Sequence, residues 1–560
     1  MATLTFSQAL TSLLAVWVFW RVLRKALATS PLDNIPGPRS GSFVSGNYGQ
    51  MYHRQGWKWH ERLWRKYGSV IKLHVSFGQP CLYVFDPTTL RHILAPDQGA
   101  LDQPGFVVDS YQLFLGPGSM SATGQLTFPS AVWDVASYFA GDRHRRWHKL
   151  LHPVFSPRNL REMLPVLYKT TRRLRDAIGM EVGNGPKEVD VLKWMNRGAL
   201  ESIGLAGLGY AFDALVESDS NNLARAIKAL FPAVSKLGII QQLAPWLMKL
   251  GPSSFRRRVA EAIPNETVHQ LVEIVDTIEM QSREIVETQK ALLEKGDAAL
   301  AGQAGSGKDV ITFLLKANMQ VAESDRLTDE EVVAQIGTFT ITATDSIGSM
   351  VTQMLHYLSE HLDVQDALRR EIIEARRGDD TSFEELMKLP LLDGVVKETL
   401  RLNPASTIIP RDACKDIVAP LSSPIRGVDG RLMTEVTIPK GTTVFLGVRA
   451  SNCNPALWGE DAMEWKPERW MRPLPTAVAE AKIPGVFGSL LSFGGGARTC
   501  IGFKFAKMEI KTILYVLLES FKLTPPGKDI AWNIATIRYP TVGKEGMKPE
   551  LPLIMTPVTT

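Results

Sequence analysis

The chain has 560 residues, 45% of them hydrophobic, which excludes a disordered protein and supplies apolar surface for a large core. Lys and Arg number 63 against 58 Asp and Glu, a net charge of +5 spread without a long basic run, so nucleic acid is not a favoured partner. The four cysteines, Cys81, Cys414, Cys453 and Cys500, lie far apart, which argues against a disulfide framework or a zinc site and for a reducing compartment.

Residues 1–20, MATLTFSQALTSLLAVWVFW, carry no charged side chain and are followed by Arg21, Arg24 and Lys25. About 20 residues at 1.5 Å rise span a bilayer core of roughly 30 Å, and Trp17, Phe19 and Trp20 suit its interface. The pattern predicts a membrane anchor over 1–25. A cleaved signal peptide is the alternative, with Ala-Leu-Ala at 26–28 as its cleavage site, but such a peptide carries positive charge ahead of its apolar run. The basic flank after the span puts the rest of the chain in the cytosol, where the sequon Asn265-Glu266-Thr267 goes unused. A connector rich in Pro and Gly is expected over 26–45, because IPGPRSG at 35–41 locks the backbone out of helix. Residues 46–560 then form one catalytic domain.

The runs SVIKLHV (69–75) and CLYVFD (81–86) read as strands, residues 140–400 are mostly helical in period, and short strands and loops follow 405. Segment 230–250 is apolar but carries Pro232, Gly238 and Pro245, so it is not a spanning helix; it is either core helix or a second membrane contact. AGQAGSGKD at 301–309 resembles a P-loop until Asp309 replaces the Ser or Thr that would hold Mg²⁺. The helical segment before it also departs from that motif, leaving a flexible linker as the reading and nucleotide binding as a weak alternative. Thr328 with Glu331 is a capping box that marks the start of a helix rich in Thr and Ser. Glu398 and Arg401 fall three apart, on one face of a helix.

The stretch FGGGARTCIG, 493–502, places a cysteine directly behind three glycines and an arginine. Phe505, Met508, Thr512, Tyr515 and Leu518 then recur at helical spacing. Cys500 therefore sits at or before a helix N-terminus, where unpaired N–H groups and the helix dipole stabilise a thiolate.

This stretch resembles the cysteine loop of the cytochrome P450 family, with Phe493, Gly496, Arg498, Cys500 and Gly502 at its fixed positions. The resemblance extends, in the family's order, to Glu398 and Arg401 in KETLR, to Arg469 in WKPERW, and to Thr342–Ile347 in the long helix. It implies a mainly α fold with small β-sheets, preceded by one transmembrane helix. It further implies haem b ligated by Cys500, with Phe493 and Gly496 shaping the loop. Arg498 and Arg411 are implied as partners of the haem carboxylates, and so are His144 and His148 where the family has a Trp and an Arg. Asp345 and Ser346 would bring protons, Ser346 standing where Thr is usual and Ala343 where a kink glycine is usual. Glu398, Arg401 and Arg469 are implied as a structural cluster.

By the same resemblance the protein is a monooxygenase that uses O₂ and electrons from NADPH through a separate flavoprotein reductase, since fewer than 60 residues follow Gly502. Lys504, Lys507 and Lys511, on one helix face beside the cysteine, are a docking patch for that reductase or a solvated face. The expected setting is the endoplasmic reticulum membrane, with a single pass. The expected substrate is a hydrophobic small molecule entering from lipid, a terpenoid-like secondary metabolite being favoured. A haem-thiolate isomerase or dehydratase without O₂ use is the alternative, against which the Asp345–Ser346 pair argues.

Overall fold

The longest helix begins as its sequence dictates: the Thr328 hydroxyl accepts from Glu331 N (3.2 Å) while the Glu331 carboxylate accepts from Thr328 N (3.0 Å). In the computed structural model this helix, Asp329–Glu360, is the axis of the molecule. The structure describes residue 20 and residues 30–95, 99–121, 140–216, 221–237, 244–301, 307–376 and 380–558. The anchor expected over 1–25 lies outside them apart from Trp20, and among the described residues no helix is long and apolar enough to cross a membrane.

Nine helices are named here in chain order: α1 (Gly105–Leu115), α2 (Ala140–Val154), α3 (Pro157–Val182), α4 (Val191–Ser202), α5 (Asn222–Leu237), α6 (Glu266–Lys295), α7 (Asp329–Glu360), α8 (Pro390–Leu402) and α9 (Phe503–Ser520). Side-chain oxygens of Ser156, Asp190 and Asn265 cap α3, α4 and α6 by accepting backbone N–H groups. Gly348 lets α7 approach α4 closely, for a Cβ there would lie 1.9 Å from Asn196 Oδ1. The stripe expected after the cysteine, from Phe505 to Leu518, is buried along α9. Pro232 does not break the chain as its sequence suggested; it lies inside α5, where the helix continues to Leu237.

Strands β1 (Val70–His74), β2 (Pro80–Val84), β3 (Leu101–Asp102), β4 (Ile408–Ala413) and β7 (Thr443–Gly447) form one sheet in the order β1-β2-β7-β4-β3. Only β2 and β7 run parallel, pairing Leu82 with Val444 and Val84 with Leu446. Between them in sequence, β5 (Ile417–Arg426) and β6 (Leu432–Ile438) make a long antiparallel hairpin. A further strand, β8 (Leu490–Gly495), leads into the cysteine loop. Smaller sheets close the C-terminal end, where Phe521–Thr524 and Pro552–Pro557 pair with each other and the latter with Lys187–Asp190.

Part of the connector expected over 26–45 is packed against the domain. Leu32 and Ile35 are buried, and a 3₁₀ turn, Pro31–Asn34, is capped by Ser30 and Asp33. The P-loop-like stretch ends in a helix cap: Asp309 accepts from Thr312 N and Thr312 Oγ1, both at 2.8 Å.

Candidate active site

Cys500 is placed by β8 and the turn after it. Its N–H donates to Phe493 O at 2.8 Å, which folds the loop back on itself. Gly496 adopts φ 70°, and a Cβ there would lie 2.4 Å from Leu94 O, so glycine is required at that point. Phe493 lies edge-on to Phe487 (5.6 Å) and tilted against Phe503 (6.1 Å), which fixes the loop to the start of α9.

Cys500 is heavily surrounded by protein, and that burial pushes its thiol above the ordinary value, the Gly502 backbone N–H opposing. Yet the residue is exposed. The two facts agree if the surface it presents faces a space inside the molecule. Thr342 is likewise exposed, at the middle of α7 between buried Ile341 and Thr344. Phe155 bridges the two sides, edge-on to Phe339 of α7 (6.2 Å) and to Phe505 of α9 (6.4 Å). A metal ion beside the sulfur would favour its ionised form.

Arg498 Nε donates to Asp102 Oδ1 (2.9 Å), and Nη2 lies 2.7 Å from the same oxygen. Arg411, on β4, is buried beside them and donates through Nη1 to Pro410 O (2.8 Å). Burial lowers its guanidinium to about 10, Arg498 acting the same way and Asp102 opposing. Two buried guanidiniums thus face one carboxylate, an excess of positive charge that suits the carboxylates of a haem. The neighbouring Asp412 is engaged by the Thr443 hydroxyl at 2.7 Å. Together with the exposed Cys500, these residues fit the implied group. His144 and His148 lie on α2, but their side chains are outside the described part of the structure.

Along α7 the hydroxyls of Thr338, Thr340, Thr342, Thr344 and Ser346 each donate to the carbonyl four residues back; for Ser346 the acceptor is Thr342 O at 2.6 Å. Asp345 is half-buried, and burial raises its carboxyl while Lys228 of α5 acts in the opposite sense.

Away from the open space, Arg401 holds Glu398 through two bonds, and Arg469 Nε donates to Glu398 Oε1 at 3.3 Å. Trp470 Nε1 and Lys466 N complete the shell of that carboxylate. The structure therefore brings Glu398, Arg401 and Arg469 together.

The three-lysine patch is a correction. Lys511 is fully buried, donating to Met387 O (2.9 Å) and 2.9 Å from Asp393, whose carboxylate also takes Lys507 at 2.7 Å. Lys511 turns inward against Asp393 of α8, while Lys504 and Lys507 border a surface groove. Asp102 and Lys228 were not found by sequence reasoning. Asp102 sits on a two-residue strand almost 400 positions before Arg498, and no local pattern connects them.

A family model described as Cytochrome P450 matches residues 133–537 of the chain. Cytochrome P450 monooxygenase 91 of Postia placenta is 44% identical, covering 96% of this chain and 96% of its own length. Ganoderic acid synthetase of Ganoderma lucidum is 42% identical over the same shares of both chains.

Proposed function

The chain belongs to the cytochrome P450 family and is a monooxygenase, and from that premise we propose the substrate class, electron source and residue roles that follow. The substrate is a hydrophobic small molecule of terpenoid type. A relative of 42% identity is named for ganoderic acid, a terpenoid, which supports this choice.

Cys500 would hold the haem iron through its sulfur, and Arg498 and Arg411 would hold the haem carboxylates. Arg498 is kept in place by Asp102. When bound, the haem supplies activation of O₂, the thiolate ligand favouring O–O cleavage. The chain itself orients, excludes water and moves protons. Asp345, its carboxyl raised by burial, is suited to take up and release a proton. Ser346 can pass that proton on, its hydroxyl turning away from Thr342 O to meet a water. His144 and His148 are proposed as further partners of the haem carboxylates.

Residues 1–25 are proposed as a single-pass anchor in the endoplasmic reticulum membrane, 26–45 as its connector and 46–560 as the cytosolic enzyme. Exposed Trp246, Leu250 and Phe255 support a second membrane contact near 230–250. Electrons would come from a separate NADPH-dependent flavoprotein reductase. A groove of about 400 Å³ supports this, lying beside the cysteine loop and lined by Phe487, Phe503, Met387, Lys397 and Lys504.

The observation that carries the reading is an exposed Cys500 on the same loop as Arg498, whose guanidinium meets Asp102 near the buried Arg411. The reduced, carbon-monoxide-bound protein should show the red-shifted Soret band of thiolate-ligated haem. Turnover that requires both NADPH and O₂ then separates a monooxygenase from an isomerase. A normal Soret band in folded holoprotein would refute the ligand assignment.

A further inference from the structure

Strands Ile530–Asn533 and Tyr539–Val542 pair antiparallel, and Arg538 ends the turn between them. Its backbone is fixed on both sides: its N–H donates to Ala405 O (3.1 Å), and its carbonyl accepts from Ser349 Oγ of α7 (2.6 Å). The residue is only 3% exposed, and its guanidinium carbon lies 5.0 Å from the Trp57 ring and 5.1 Å from the Trp532 ring. Arg449, shortly after β7, lies over the same Trp57 ring at 5.1 Å and donates through Nε to Leu402 O (3.0 Å). Two guanidiniums thus share one indole inside the fold.

The cluster is rich in donors and poor in negative charge. Nε and Nη1 of Arg538 are buried, and neither finds an acceptor. Both indole N–H groups are engaged, Trp57 Nε1 with Trp532 O (2.7 Å) and Trp532 Nε1 with His356 Nδ1 (3.1 Å). The Tyr357 hydroxyl, close enough to feel both guanidiniums, accepts from Asn403 Nδ2 (2.5 Å) and keeps its own hydrogen to give. Among the described residues no carboxylate pairs with Arg538 or Arg449. Buried Glu398 is taken by Arg401 and Arg469, and burial pushes the Cys453 thiol up, so it stays neutral. Burial lowers the Arg538 guanidinium to about 9, Arg449 acting the same way and Tyr357 and Cys453 opposing. The indoles offset part of the cost of this buried charge. They supply neither a counter-charge nor a lone pair for Nε and Nη1.

We propose that Arg538, Arg449 and the Tyr357 hydroxyl bind a small monovalent anion, of which chloride is the model. The donors set the sign of the ligand, since a metal cation would find no negative group here. Its size follows from the setting: Arg538 is buried against Trp57 and Trp532, so the ion must shed its water, which a halide does at far lower cost than a sulfate or phosphate dianion. The anion neutralises one buried guanidinium and accepts the hydrogens of Nε and Nη1. It also ties three separate parts of the chain to one centre: the helix Trp57–Tyr67, the strand pair that Arg538 serves, and α7 through Tyr357. This site is distinct from Arg411 and Arg498, which face Asp102.

The test uses full-length protein in detergent, dialysed to equilibrium against bromide at constant ionic strength, with bulky gluconate as the balancing anion. Halide carried in excess of the bath, bromide and any retained chloride together, is counted per chain by ion chromatography after denaturation. The parent is expected to bind a single halide saturably, and its thermal midpoint should rise along the same curve. Arg538→Met should bind none and melt alike in bromide and gluconate. Tyr357→Phe, which loses one donor to the anion, should raise the half-saturating concentration about tenfold. No excess halide in the parent overturns the site and leaves Arg538 held by the indoles alone. Excess that does not saturate and is equal in Arg538→Met means an adventitious ion only, and overturns it too. If Arg538→Met does not fold, Tyr357→Phe decides, and an unchanged half-saturating concentration there overturns the assignment.

Discussion

Arg401 grips both carboxylate oxygens of Glu398, with Nε 2.9 Å from Oε2 and Nη2 2.8 Å from Oε1, and neither side chain is exposed. The remaining guanidinium hydrogens go to Asn452 O, Ala462 O and Glu464 O, which draws the segment after β7 onto α8. Removing either partner leaves a buried charge unpaired, at a cost of roughly 3–5 kcal/mol. Glu398→Gln and Arg401→Lys should therefore lower the thermal midpoint sharply and yield little haem-loaded protein. Normal melting of either variant would show that the pair is not a structural tie.

Cys500→Ser should retain the fold but lose the red-shifted carbon-monoxide band, because a neutral hydroxyl is a poor donor to iron. Arg411→Ala removes one of the two guanidiniums facing Asp102. A charge-assisted hydrogen bond is worth about 1.5–3 kcal/mol, so haem transfer to apomyoglobin should quicken by roughly tenfold or more. An unchanged transfer rate would assign the haem carboxylates to other groups.

Glu509, on α9, is fully buried, neither of its oxygens finds a well-formed hydrogen bond, and burial raises its carboxyl well above 4.5 with only Ser202 opposing. An acid whose pKa is raised on folding keeps its proton in the folded state while the unfolded chain ionises. Stability attributable to it is thus highest below pH 4.5 and falls as pH rises toward the folded value, at up to about 1.4 kcal/mol per pH unit. Glu509→Gln should match the parent near pH 4.5 and exceed its thermal midpoint at pH 8. A parent that melts higher than the variant at pH 8 would mean the carboxylate is ionised and paired.

The two lysines separated by the corrected patch should behave differently. Lys504→Glu reverses a charge at the groove rim and should slow association with a reductase, with a weaker dependence on salt. Lys511 is buried, which lowers it to about 8 against the pull of Asp393. Lys511→Met should therefore change thermal stability and leave the reductase KM as it was. Equal effects of both variants on that KM would restore the three-lysine patch.

Where a signal is local, the sequence announces its structure. The Thr328–Glu331 box, the buried stripe of α9 and the i,i+3 spacing of Glu398 and Arg401 all follow from one helical period. Contacts between distant segments leave no such trace. The pairing of β3 with β4, Leu101 lying opposite Ala413, sets Asp102 on the strand next to Arg411, and Arg498 reaches the same carboxylate from the turn after β8. Lys511 falls on the helical face with Lys504 and Lys507, and only the packing of α8 shows that Lys511 turns inward.

The parallel pairing of β2 with β7 joins residues made far apart in time. Val84 meets Leu446, roughly 360 residues later in synthesis, an interval of about 20–70 s at ribosomal speeds. Through that interval the β1–β2 hairpin stands with one edge bare, a template for pairing with any other strand nearby. Cys81, buried in the finished sheet, is uncovered for as long. Chaperone demand during translation should accordingly be set by the wait for residues 443–447 rather than by the stability of the completed fold.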